Sequence, residues 1–149
     1  MAYRRKTWRE KLADDKGLPK IAKIEGKMTN RWGTGTMVIP APRKVDAMIR
    51  TIRKGRTATI NDLRAMLAKK HGVDICCPIT TGIFTWIAAH AAAEDEAEGK
   101  KRITPWWRVL KSDGKLNPKY PGGVEAQARR LVVEGHVING GQLAAPIAD

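Results

Sequence analysis

Thr104-Pro105-Trp106-Trp107-Arg108-Val109-Leu110-Lys111-Ser112-Asp113-Gly114-Lys115-Leu116 sets two adjacent indoles directly before an arginine. It then runs a β-prone pair into an Asp-Gly turn. Aromatic rings stack on bases and Arg contacts phosphates or base edges, so this grouping suits nucleic acid. The same residues also suit two core tryptophans beside a surface turn, since Trp is mostly buried in folded proteins. Asp113-Gly114 between Val109-Leu110 and Lys115-Leu116 predicts a hairpin, because Gly tolerates the positive φ such turns need.

Outward from that stretch, charge is the strongest global signal. The 149 residues hold 28 Lys and Arg against 15 Asp and Glu, a formal net charge of +13. The excess is uneven. Residues 1–56 carry 16 basic and 5 acidic side chains, residues 57–98 carry 3 and 6, and residues 99–149 carry 9 and 4. A polyanion partner follows, nucleic acid before anionic membrane. A hydrophobic content of 42% excludes global disorder and allows one domain with a real core. No apolar run is long enough to span a bilayer and no secretory signal pattern stands at the start, which predicts a cytoplasmic protein with no membrane contact. Cys76 and Cys77 are sequence neighbours and rarely bridge, so free thiols in a reducing compartment are expected. Two cysteines and three scattered histidines give no zinc spacing, and neither metal nor cofactor is expected.

Upstream, Thr7 with Glu10 is a capping-box pattern. Gly17 and Pro19 are stop signals, which predicts a short helix over 7–16 behind a basic arm at 1–6. Residues 20–36 read as loop with a possible strand, and Thr36–Ile39 as a strand stopped by Pro40 and Pro42. Val45, Met48, Ile49 and Ile52 recur at helical spacing over 43–54. Thr59 with Asp62 starts another helix, which Gly72 ends. A third follows over 79–93. These two helices and the turn between them form a helix-turn-helix candidate. The third helix has small residues on one face, so its backbone can press close to another helix or into a DNA groove. In the second case Thr80, Thr81 and Thr85 would reach phosphates. The acidic run 94–98 reads as a solvated end or linker. A last helix is expected over 124–134 and a poorly ordered tail over 139–149.

Read together, residues of about 45–137 resemble the DNA-binding domain of the alkylguanine–DNA alkyltransferase family, including its alkyltransferase-like members. Lys54-Gly55-Arg56-Thr57-Ala58-Thr59-Ile60-Asn61-Asp62-Leu63 looks like that family's lead into its helix-turn-helix. Pro105-Trp106-Trp107-Arg108-Val109 looks like its active-site Pro-Cys-His-Arg-Val. Ser112–Leu116 matches the turn that follows, and Arg130-Leu131-Val132-Val133-Glu134-Gly135 its closing helix. The resemblance implies an α+β, mostly helical fold: a winged helix-turn-helix-like domain with a small hairpin over 43–138, a basic N-terminal extension over 1–42 and a flexible tail over 139–149.

The departures from the family bear on chemistry. Trp106 stands at the position of the cysteine that takes the alkyl group, and Trp107 at that of the histidine that activates it. Glu134 stays at its matching position. An indole forms no thiolate and relays no proton, so alkyl transfer is excluded and no enzyme is expected. Alkyltransferase-like proteins also replace the cysteine, often with Trp, and bind damaged DNA without repairing it, but they generally keep the histidine. The family's nucleotide-rotating tyrosine falls at Ile60, and its arginine finger has no counterpart near Thr81-Gly82.

The resulting expectation is a monomeric, non-catalytic protein that binds double-stranded DNA and senses alkylated guanine, with a part in DNA repair. Its contacts would come from Thr80, Thr81, Thr85, Lys100, Lys101, Arg102, Arg108, Lys111 and Lys115. Ile60, Trp106, Trp107 and Glu134 would line the former alkyl pocket. The alternatives are an RNA-binding or protein-interaction module on the same winged fold, and an enzyme using Cys77 or Cys76 with His71 or His90 as base.

Overall fold

The structure, a computed structural model, describes residues 6–143. The arm expected over 1–6 lies outside this range except for Lys6, and so do residues 144–149 of the expected tail. The chain is α+β, with helices the larger share.

The first helix, α1 (Trp8–Ala13), starts where its capping box places it. Glu10 N donates to Thr7 Oγ1 at 3.1 Å, and Thr7 N donates to Glu10 Oε1 at 3.3 Å. Residues 20–36 are more ordered than a loop, with strand β1 (Lys20–Lys23) and a short helix α2 (Met28–Trp32). Strand β2 (Thr36–Ile39) has the expected bounds. It pairs antiparallel with β1 and parallel with β4 (Ile75–Cys76), giving the order β1-β2-β4. Asp74 fixes the approach to β4 by accepting from Thr36 N at 2.8 Å and from Thr36 Oγ1 at 3.1 Å, which holds its carboxyl below the ordinary range. The segment 20–39 therefore shares a sheet with the domain that follows it.

Helix α3 (Pro42–Ile49) begins on a proline, whose missing N–H costs nothing there. It stops five residues short of the expected Lys54. Thr51 Oγ1 donates to Met48 O at 2.6 Å and Ile52 N donates to Ile49 O at 3.0 Å, so the chain tightens into turns through 50–56. Strand β3 (Ala58–Thr59) leads into α4 (Ile60–His71), capped by Thr59 and Asp62 and ended by Gly72 at φ 68°. Helix α5 (Pro78–Ala97) outruns its expected end at Ala93 because no glycine or proline intervenes before Gly99.

That extension makes 94–98 the exposed-side end of α5 and not a linker, with Glu96 and Glu98 exposed. Four carboxylates at a helix C-terminus oppose the helix dipole, so they need cations. Arg9 supplies one from α1: its backbone N–H donates to Glu94 at 2.8 Å and its guanidinium to Glu98 at 2.5 and 2.6 Å. Lys100 lies 3.4 Å from Asp95, and Arg130 pairs with Glu96. Trp8 completes the docking of α1. Its ring stacks on His90 at 4.5 Å and meets Trp86 edge-on at 4.7 Å.

The core has α5 as its axle. Val45, Ile49, Leu63, Leu67, Phe84, Ile87, Ala88 and Val109 form one cluster. A second cluster gathers Ala89, Ala92, Trp106, Trp107, Leu110, Leu116, Tyr120 and Leu131. The small residues of α5 are what let the two indoles come up to the helix, so its small face packs inside the protein rather than into a groove.

The expected hairpin over 109–116 does not form as a ladder. Strand β5 (Val109–Leu110) pairs parallel with β3, Ala58 opposite Val109 and Thr59 opposite Leu110. The Asp-Gly turn is present, with Gly114 at φ 83° and Lys111 N donating to Lys115 O at 2.9 Å. Its outgoing arm joins another element: Leu116 N donates to Gly141 O at 3.0 Å, and Lys115 bridges Gln142. A hairpin forms instead from β6 (Ile138–Asn139) and β7 (Gln142–Leu143), joined by Gly140 and Gly141 at positive φ. Residues 139–143, expected as tail, are thus part of the fold. They follow α6 (Gly123–Val133).

Candidate functional site

The segment 104–110 is held by three neighbours. The Thr104 hydroxyl donates to Asp46 on α3 at 2.5 Å. Arg108 is the last residue of the 3-10 turn Trp106–Arg108 and is drawn inward. Its Nε and Nη2 donate to the Glu134 carboxylate at 2.9 and 2.6 Å, and its Nη1 donates to Ile52 O at 2.7 Å. Only 14% of the Arg108 side chain and 7% of the Glu134 side chain remain accessible. Arg108 therefore joins α6, the turn after α3 and the tryptophan segment. The expectation that it contacts phosphate is corrected, because its donors face inward partners.

Burial pushes the Glu134 carboxyl up, but the Arg108 guanidinium, the Trp107 N–H and the Gly55 amide more than offset this. The net pKa lies below the ordinary carboxylate range. The Trp107 N–H approaches that carboxylate without closing a well-formed hydrogen bond.

Trp106 is 2% exposed and Trp107 9%. Their rings meet edge-on at 5.7 Å, and Trp106 meets Tyr120 in the same way at 5.6 Å. The Arg130 guanidinium lies 4.5 Å from the Trp107 centroid and 5.6 Å from that of Trp106. Both indoles are thus in contact with a neighbouring ring and a guanidinium. Gln127, fully buried on α6, donates to Trp107 O at 3.1 Å and Val109 O at 3.0 Å, and accepts from Asn117 N at 2.8 Å. Sequence reasoning missed it. The available signal was a polar residue at core spacing between Val124 and Leu131. Of the four residues assigned to an alkyl pocket, Trp106, Trp107 and Glu134 come together. Ile60 stands apart at the start of α4, packed on the first cluster.

The threonine expectation is also corrected. Thr81 and Thr85 are 0% exposed, and their hydroxyls donate to Cys77 O at 2.6 Å and Thr81 O at 2.8 Å within α5. The Thr80 hydroxyl is buried too. None of the three presents a donor to a phosphate.

Among the lysines and arginines, Lys100 is paired with Asp95, whereas Lys101, Arg102, Lys111 and Lys115 are exposed and have no ion pair among the described residues. Arg53, Lys54 and Arg56 share that state and were missed as contacts. The stretches 46–59 and 104–110 are tied at Asp46 to Thr104, Ile52 to Arg108 and Ala58 to Val109. One stretch brings Arg53, Lys54 and Arg56. The other is flanked by Lys101 and Arg102 before it and by Lys111 and Lys115 after it. The signal for the first group was present, three cations in four residues around Gly55.

Among the described residues neither thiol is hydrogen-bonded to a histidine. Cys76 and Cys77 are buried, and burial pushes the Cys76 thiol up. His71 Nδ1 lies 2.8 Å from Leu67 O, and His90 Nε2 lies 3.0 Å from Lys119 O. Among the described residues no group of His, Cys, Asp and Glu could hold a metal ion, and no helix is long and apolar enough to cross a membrane. No family model matches the chain, and no curated protein is significantly similar to it.

Proposed function

We propose that this protein is a non-catalytic double-stranded-DNA-binding protein of the alkyltransferase-like type. The observation that carries the reading is that two remote stretches, tied together at three points, bear or adjoin seven exposed cations without ion-pair partners among the described residues: Arg53, Lys54, Arg56, Lys101, Arg102, Lys111 and Lys115. Such cations release counterions when they meet phosphates. The α4–α5 pair and the β6–β7 hairpin would serve as the helix-turn-helix and its wing.

The former alkyl pocket bears on what kind of DNA is bound. Trp106 and Trp107 are packed against Tyr120 and Arg130, so rings and a guanidinium stand where the resemblance would put a flipped alkylguanine. The geometry therefore favours binding of undamaged duplex through its backbone over capture of a lesion. The same filled pocket favours a second reading, an RNA-binding or protein-interaction module that kept the scaffold.

A competition assay separates these. Labelled duplex DNA is displaced by unlabelled duplex, single-stranded DNA or structured RNA. The proposal expects duplex DNA to compete best, and a duplex carrying alkylguanine to compete no better than plain duplex. Stronger competition by RNA transfers the function to RNA, and stronger competition by the alkylated duplex restores lesion sensing.

A further inference from the structure

The C-terminal end of α6 carries a feature that DNA binding does not use. Val132, Val133 and Val137 are 54%, 80% and 60% exposed, three branched apolar side chains within six residues. They flank Glu134, whose carbonyl lies 4.0 Å from where a Gly55 Cβ would stand. Gly55 is in turn flanked by Arg53, Lys54 and Arg56. The Gly55–Glu134 approach thus brings the segment that bears the three valines up to the one that bears the three cations. Phosphates reward the cations, but a duplex backbone offers nothing to the valines.

The geometry points to a protein-docking surface here, whose occupant is an acidic segment with an apolar stripe: the stripe covers Val132, Val133 and Val137, and its carboxylates meet Arg53, Lys54 and Arg56. An apolar centre with a charged rim is the ordinary anatomy of a protein interface. Charge selects the occupant. A second copy of this chain, itself at +13, would bring cations against cations. A lipid surface is usually met through Trp, Tyr or Phe at the boundary, and the exposed apolar residues here are all valine. Because the 53–56 turn also belongs to the proposed DNA surface, the segment and duplex DNA compete for it. The docking surface itself stands whether or not DNA binds.

The test uses the full chain and a synthetic helical peptide with leucines at i, i+3, i+4 and i+7 and glutamates beside them. A peptide of the same composition with the leucines scattered is the control. Fluorescence anisotropy should show the patterned peptide binding more tightly than the scattered one. Val133→Ser should weaken it about tenfold, as for a residue central to an interface. Val133→Ser should leave duplex DNA binding unchanged, and the patterned peptide should displace labelled duplex. Equal binding of the two peptides, or no effect of Val133→Ser, overturns the proposal in favour of charge alone. Val133-dependent binding to phosphatidylserine vesicles without peptide binding overturns it in favour of a membrane. Val133-dependent dimerisation in sedimentation overturns it in favour of self-association. If duplex fails to bind while the patterned peptide does, only the DNA reading falls.

Discussion

Three cations near α1 and most of those along the 53–56 and 101–115 stretches have opposite fates. Near α1, Lys6 faces Asp14, Arg9 faces Glu98 and Arg43 faces Asp15 at 2.6 Å. Along the second region, Arg108 is the one drawn inward, to Glu134, and seven others have no ion pair among the described residues. Residues 1–56 hold the larger excess of charge, yet Lys6, Arg9 and Arg43 among them are held by internal carboxylates. Net charge alone is thus a poor guide to where a polyanion sits. What matters is which cations the fold leaves without carboxylates.

The contrast predicts that removing an internally held group costs stability, whereas removing an unpaired cation costs only binding. The largest losses belong to the interior. Trp106→Ala should lose about 3–5 kcal/mol in urea denaturation, because the rings around it cannot fully collapse. Arg108→Ala should lose a similar amount, about 3–5 kcal/mol, because it strands the Glu134 carboxylate in a buried site. A variant stable to within experimental error would mean that Arg108 is free to face a ligand.

Acid sharpens the same contrast. The Glu134 carboxyl titrates below its ordinary value in the folded protein, so its stabilisation is present above the unfolded pKa of about 4.3 and disappears as pH falls through the folded value. The gap in stability between wild type and Glu134→Gln should narrow as pH falls below about 4. A gap independent of pH would remove the ion pair as its cause. The smallest stability effect is expected from the triple change Arg53→Ala, Lys54→Ala, Arg56→Ala. Its melting temperature should stay at the wild-type value in thermal denaturation.

Much of the helical framework was legible in the sequence because its signals are local. Thr7 with Glu10, Thr59 with Asp62, and Gly72 act within one turn, and each element begins or ends where they stand. The misplaced hairpin was not legible, because Asp113-Gly114 specifies a turn but not which strand lies beside it. Ala58–Thr59 took Val109–Leu110, and Gly141 took Leu116. The candidate site suffered in the same way. A threonine in a small-residue helix looks equally available for phosphate or for its own backbone. Only the packing of α5 by its neighbours shows that Thr81 and Thr85 use the second option. Arg108 beside two tryptophans likewise looks like a contact until Glu134, 26 residues away, is brought to it.

The most direct test of the unpaired surface is the salt dependence of duplex binding, plotted as log affinity against log salt for wild type and for the triple Arg53, Lys54, Arg56 variant. If all seven cations meet phosphates the wild-type slope is about −6, and the variant should be shallower by about 3 while folding normally. No binding at low salt, or identical slopes for the two proteins, would contradict the account.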